Sequence, residues 1–225
     1  VSDGPHGIRK QENLADHMGV AESIKAIGFP TASAMACSFD RDLLHKVGDA
    51  LGEECVAEDL AVLLGPGINM KRSPICGRNF EYYSEDPYVT GTIAIAETEG
   101  VQSNPGIGVC IKHFAANNQE DNRNAVNNTI SERAFREIYL KGFEMAVKGA
   151  QPMSIMSSYN LNNSVPAADD YDLLTDITRG EWGFDGMIMT DWGGGQVAQT
   201  NRGRFLRKSD AECLGITIKN RRKRK

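Results

Sequence analysis

Gly186-Met187-Ile188-Met189-Thr190-Asp191-Trp192-Gly193-Gly194 is the stretch whose reading decides the fold of this 225-residue chain. A short apolar run, Met187-Ile188-Met189, stops at a carboxylate, an indole and two glycines. The run is too short for an ordinary helix and reads as a buried strand. A carboxylate at the end of such a strand sits on a rigid element facing a mouth, where barrels and open α/β sheets place their chemistry. The competing reading gives Asp191 to a turn, since Asp ahead of Gly is ordinary turn chemistry. The rest of the chain has to choose between them.

Working outward, the same kind of segment recurs. Asp3-Gly4-Pro5-His6-Gly7 is a tight loop, and the small residues of Phe29–Ala36 suggest a short strand. Asp40 is a good N-cap for a helix to about Glu58, with Leu43, Leu44, Val47, Leu51, Cys55 and Val56 near helical spacing. Leu60–Leu64 is an apolar strand stopped by Gly65-Pro66-Gly67. Asp86-Pro87 opens a helix to about Gly100 as N-cap and first-turn proline. A strand at Val109–Ile111 ends in Lys112-His113-Phe114, and Thr129-Ile130-Ser131-Glu132 has the form of a capping box for a helix to about Lys148. Met153–Tyr159 reads as a further strand, and a short helix at Leu173–Arg179 leads back to the opening stretch.

Strand and helix therefore alternate, with connections long enough for parallel crossovers, which predicts a parallel α/β sheet or a (β/α) barrel. Polar residues recur at the strand ends: Arg78, Lys112 with His113, Tyr159 and Asp191. In a barrel all of these share one face. An open sheet would normally follow its first strand with a glycine-rich phosphate loop, and no such pattern occurs. The expectation is an α/β fold of TIM-barrel type over residues 1–200, incomplete at both ends.

Composition agrees with a globular domain: 40% hydrophobic and 24% charged residues. No apolar run approaches the roughly 18 residues of a membrane span, so no membrane partner is expected. The chain opens on Val1 rather than Met, which leaves the compartment open. Five cysteines, odd in number and without a close pair, argue against a disulfide framework or zinc site and for buried thiols. Residues 201–225 carry ten Lys/Arg against two Asp/Glu. This basic tail lacks apolar periodicity and is expected to be disordered or out of frame. Nucleic-acid binding through it is the rival reading, weakened because no aromatic or motif support accompanies the charges.

If Asp3, Arg78, Lys112, His113, Tyr159 and Asp191 converge on one mouth, the donors around Asp191 would keep it ionised, as a nucleophile or electrostatic stabiliser. The surplus donors and acceptors suit a polyhydroxylated ligand, and Trp192 and Phe114 would offer it apolar faces. That combination favours a sugar site with an oxocarbenium-like transition state. Taken singly, each residue also has an ordinary structural reading: Arg78 pairing with Glu81 or Glu85, Lys112-His113 on a solvated edge, Tyr159 and Met156 in a core.

The strings DGPHGIR (3–9), GRNFEYYSEDPY (77–88), KHFAANNQE (112–120), SSYN (157–160) and LLTDITRGEWGFDGMIMTDWGG (173–194) resemble the N-terminal barrel domain of family 3 glycoside hydrolases, the β-glucosidase-like members above all. The resemblance runs over roughly residues 1–195. It implies retaining hydrolysis of a terminal non-reducing β-D-glucosidic bond, with Asp191 as nucleophile and no metal or organic cofactor. It also implies sugar contacts from Asp3, Arg78, Lys112, His113 and Tyr159, with Met156 and Trp192 lining the same subsite. The substrate would be a β-linked oligosaccharide or an aryl or alkyl β-glycoside. Hexosaminidase-like members carry a KHFPGHG-type string where this chain has KHFAANN, which argues against that branch. The acid/base Glu of β-glucosidase-like members comes from a following sandwich domain, so this chain is expected to turn over weakly or not at all. Xylosidase or other β-glycosidase specificity, and an inactive carbohydrate-binding fragment, stay open beside the glucosidase reading, as does the oligomeric state.

Overall fold

A computed structural model describes residues 1–11 and 22–194. The basic tail, the expected boundary near residue 200 and Cys213 lie outside the described residues.

Five strands form one parallel sheet: β1 (Ser2–Asp3), β2 (Val62–Leu64), β3 (Gly108–Phe114), β5 (Ser154–Ser157) and β8 (Met187–Thr190), adjacent in that order. Each new strand is laid against the last one in the same direction. A doubly wound sheet reverses its order at a switch point, whereas a sheet that only advances is the strand order of a (β/α) barrel. The fold is thus the (β/α) barrel expected, with five of its strands described.

Helices fill the crossovers: α1 (Ala32–Ala36) and α2 (Arg41–Ala57) before β2, and α3 (Pro87–Gln102) before β3. α4 (Glu132–Ala134) and α5 (Lys141–Ala150) precede β5. A small second sheet of β4 (Asn127–Asn128), β6 (Leu161–Asn162) and β7 (Val165–Pro166) was not foreseen. No helix among the described residues is long and apolar enough to cross a membrane.

The period of two in the strands sorts the core. Leu63, Val109, Ile111, Ile155 and Ile188 face the helices and belong to the main apolar cluster. Their neighbours Val62, Leu64, Cys110 and Met156, with Met189 against them, form a separate cluster on the other face, the bore. Register keeps the alternation aligned across strands: Leu63 pairs with Val109, Ile111 with Ile155, and Met156 with Met189. By the same parity Asp191, two beyond Met189, belongs to the bore side, and Asp3 pairs with Leu64 of the bore.

Helix caps follow the sequence in part. Asp40 and Asp86 cap α2 and α3 through their carboxylates, and Pro87 opens α3, as expected. Along α2, Leu44, Leu51 and Cys55 are buried, but Leu43 and Val56 face solvent. Residues 29–36 do not make a strand. Thr31 accepts from the Ala34 amide and starts α1 there, where alanines and Met35 favour a helical turn. Ser131, not Thr129, caps α4, because its hydroxyl takes the Ala134 amide. The helix expected beyond it is not uniformly α: Phe135–Tyr139 widens to a π turn, with the Leu140 amide bonded to the Phe135 carbonyl at 2.8 Å. Residues Asp172–Glu181 are π-helical as well.

Glycine is required where α2 and α3 touch. A Cβ on Gly48 would lie 2.4 Å from the Glu97 carbonyl oxygen, and one on Gly100 would lie 2.1 Å from the His45 carbonyl oxygen. The expectation of buried thiols holds for Cys55 and Cys110 but not for Cys37, which is exposed at the end of α1, or Cys76, which is half-buried in a loop. Burial pushes the Cys110 thiol up to about 12 and the Cys55 thiol up to about 11, and both behave as core residues.

Candidate active site

All eight side chains singled out from the sequence, Asp3, Arg78, Lys112, His113, Met156, Tyr159, Asp191 and Trp192, line one cavity of about 610 Å³. It opens at the C-terminal ends of the strands, and Leu64 and Met156 of the bore form part of its wall. Phe114 is not among the lining residues. It is fully buried on the helix side, edge-on to Phe143 and Trp182 with centroids 4.8 and 5.8 Å away, so it is a core residue and not an apolar wall for a ligand.

Strand alternation alone would turn Lys112 and His113 to opposite faces. The register between β3 and β5 shifts between Ile111 and Phe114, and such an irregularity re-aims side chains locally. Both residues are buried within β3 rather than lying on a solvated edge, and both reach the cavity.

The charges alternate along a chain of contacts. Lys112 Nζ donates to Asp3 Oδ1 at 2.5 Å and lies 2.9 Å from Glu81 Oε1. Arg78 Nε donates to Glu81 Oε2 at 2.6 Å and lies 4.0 Å from Glu120 Oε1, and Arg123 donates to Glu120 Oε2 at 2.8 Å. Arg78 therefore does pair with Glu81, as its structural reading has it, and still lines the cavity. A charge taken out of water is costly unless it is paired, and each of these has an opposite charge in contact. For Asp3, burial raises the carboxyl, yet Lys112 and then Arg78 bring it below its usual range. For Lys112, burial lowers the ammonium, but Glu81 and Asp3 raise it above its usual value.

Asp191 is in a different state. Its side chain is 12% exposed, and its Oδ1 accepts the Trp192 amide at 2.7 Å. Burial raises its pKa above the usual carboxylate value, and the Trp192 amide, Tyr159 and more distant Arg78 and Arg123 only partly oppose that rise. The donors around it do less than the sequence suggested, because both arginines are spent on Glu81 and Glu120. The Tyr159 hydroxyl, which donates to the Trp192 carbonyl, also lies within reach of Asp191, and the Arg123 guanidinium covers the Tyr159 ring at 4.8 Å. His113 Nε2 stands 3.7 Å from Asp191 Oδ2. Burial, then Arg78, Lys112 and Arg123, hold that imidazole well below its usual pKa, so the contact is not an ion pair. Trp192 is 47% exposed and offers its indole to the opening.

Four participants went unseen in the sequence: Tyr82, Asn117, Glu120 and Arg123. Glu120 closes the KHFAANNQE string, which was a usable signal. Arg123 sits in a polar loop with no periodicity to mark it, and Tyr82 and Asn117 look like ordinary core and loop residues. Among the described residues no group of His, Cys, Asp and Glu is arranged to hold a metal ion.

Comparison with known proteins adds an independent line. The profile of the glycosyl hydrolase family 3 N terminal domain matches residues 9–211. Thermostable β-glucosidase B of Acetivibrio thermocellus is 51% identical over 193 residues, covering 86% of this chain and 25% of that protein. An exo-α-(1→6)-L-arabinopyranosidase of Bifidobacterium longum is 53% identical over 194 residues, with 86% and 26% covered. Among solved structures, β-glucosidase 3B of Thermotoga neapolitana in complex with α-D-glucose superposes with a TM-score of 0.80 at 46% identity, covering 86% of this chain and 27% of that one. The chain thus spans about a quarter of the length of these relatives.

Proposed function

The chain belongs to glycosyl hydrolase family 3, whose N-terminal domain it carries, and on that premise we propose that the cavity holds the terminal sugar of a β-D-glucoside for retaining hydrolysis. The observation that carries the reading is the state of Asp191. Two carboxylates are found among the described residues lining the cavity: Asp3, held by Lys112, and Asp191, which no lysine or arginine among the described residues holds. A carboxylate beside a polar cavity, with neutral donors around it, can attack an anomeric carbon. Asp191 would displace the aglycone to give a covalent glycosyl-enzyme, and water would then release the sugar. Asp3, Arg78, Lys112, His113 and Tyr159 supply donors and acceptors for the sugar hydroxyls. Met156 forms the wall below, and Trp192 offers an aromatic face.

Retaining hydrolysis also needs a proton donor roughly 5–5.5 Å from the nucleophile. Asp3 is unsuited to it, since Lys112 keeps its carboxyl charged. The acid is therefore assigned to a carboxyl beyond the described residues, in keeping with relatives of which this chain covers about a quarter.

An activated leaving group departs without acid help, so a dinitrophenyl 2-deoxy-2-fluoro-β-glucoside tests the nucleophile on its own. Mass spectrometry should place the sugar on the peptide containing Asp191, and Asp191→Asn should remain unlabelled. Labelling at another residue would overturn the assignment. Glucose binding by calorimetry without any labelling would instead favour a binding fragment. The B. longum relative, named for an arabinopyranoside, supports running xyloside and arabinopyranoside reagents alongside.

A further inference from the structure

His113 is buried, and Asn69 brackets its main chain: Asn69 Oδ1 accepts the His113 N–H at 2.8 Å, and Asn69 Nδ2 donates to the His113 carbonyl at 2.7 Å. The backbone that carries the ring is thereby held, but the ring's usefulness depends on which nitrogen carries hydrogen. On the inner side, Nδ1 lies 3.0 Å from the Tyr82 hydroxyl, which is itself buried. On the outer side, Nε2 faces Asp191 Oδ2 at 3.7 Å.

The polarity can be followed from a group that has no choice. Glu120, ion-paired to Arg123 at 2.8 Å, can only accept. Its Oε1 lies 2.9 Å from Asn117 Nδ2, which fixes the amide's NH₂ on that side. The same Nδ2 is 3.0 Å from the Tyr82 hydroxyl oxygen, and an amide nitrogen can only donate, so the phenol oxygen accepts there. The phenol's own hydrogen then has His113 Nδ1 as its remaining partner, and Nδ1 must accept.

We propose that Glu120, Asn117 and Tyr82 form a directional relay that locks His113 as the Nε2–H tautomer, aiming an N–H donor at Asp191 and the sugar hydroxyl beside it. Tyr82 is then a positioning residue, two bonds removed from the sugar. The opposite tautomer would set an imidazole lone pair against the nucleophile's carboxylate and leave the phenol's buried hydrogen without an acceptor, which disfavours it. The neutrality of the ring, from burial and three surrounding cations, is consistent with it serving as a donor without charge. Only the last link, donation to a sugar hydroxyl, rests on the glycosidase reading. The tautomer itself stands apart from it.

Long-range ¹H–¹⁵N correlation spectra of the full ¹⁵N-labelled chain report which imidazole nitrogen is protonated. The wild type should show His113 as Nε2–H, and Asp191→Asn should leave that unchanged. Tyr82→Phe should reduce the ratio of Nε2–H to Nδ1–H by about tenfold, the equivalent of one buried hydrogen bond. An Nδ1–H ring in the wild type overturns the proposal, as does a tautomer that follows Asp191→Asn or ignores Tyr82→Phe. The first two spectra decide the question even if Tyr82→Phe does not fold. Titrating glucose into the same sample separates the two readings: an Nε2–H ring with no response to glucose sinks the sugar assignment and leaves the relay intact.

Discussion

Replacing Glu97 by glutamine should remove most of a pH-dependent penalty on folding. Glu97 lies on α3, 1% exposed, and its carboxylate accepts from the hydroxyl of Tyr83, another buried residue. Burial raises its pKa from the ordinary 4.5 to about 7, and the Tyr83 hydrogen bond only partly offsets that. The sign follows from linkage. Below pH 4.5 the group is protonated in both folded and unfolded chains and contributes nothing to pH dependence. As pH rises from 4.5 to about 7 the unfolded chain releases the proton more readily, so stability falls, and above about 7 the loss is complete. At 1.36 kcal/mol per pH unit the loss is about 3 kcal/mol. Glutamine keeps an oxygen for Tyr83 and cannot ionise. Urea unfolding should therefore show the difference in stability between Glu97→Gln and wild type moving in the variant's favour by about 3 kcal/mol between pH 4.5 and 8. Groups such as Asp3 and His113, common to both proteins, cancel in that difference. A constant difference across this range would refute the reasoning and mean that Glu97 is charged in the folded chain at all these pH values, or open to water.

Lys112→Met should cost about 3–5 kcal/mol in urea unfolding, because it leaves Asp3 and Glu81 without the cation between them. Gly100→Ala should cost about 1–3 kcal/mol, read as a drop in Tm. The new methyl would meet the His45 carbonyl oxygen at 2.1 Å and force α2 and α3 apart.

What could be read in the sequence was whatever a local rule enforces. Asp40 and Asp86 capped the helices they precede because capping needs only the next three amides. Met187–Thr190 formed its strand because an apolar run this short, with a glycine before it, has no length for a helix. The gathering of Asp3, Lys112 and Asp191 was legible because parallel strands present their ends on one face. Failures came where distant groups decide. Phe114 follows two cavity residues, yet Phe143 and Trp182 claim its ring. The capping box put the cap at Thr129, but β4 takes in the two residues just before it and Ser131 caps α4 instead. Tyr82 carries no local sign of its part, since its partners His113 and Asn117 stand 31 and 35 positions away along the chain.

The alternating contacts from Asp3 through Lys112, Glu81, Arg78 and Glu120 to Arg123 bear on how this sequence can change over time. Every interior member neutralises two neighbours, so replacing one strands a charge on either side. A tolerable route to a different arrangement would need two or three coordinated substitutions, with unstable intermediates between them. Drift is therefore expected to spare these six positions as a block, while the opening around Trp192 and the loop rims can vary one residue at a time. Variation among relatives in which sugar they accept would then be written at the rim, and the ionic chain beneath it would pass from one specificity to the next unaltered.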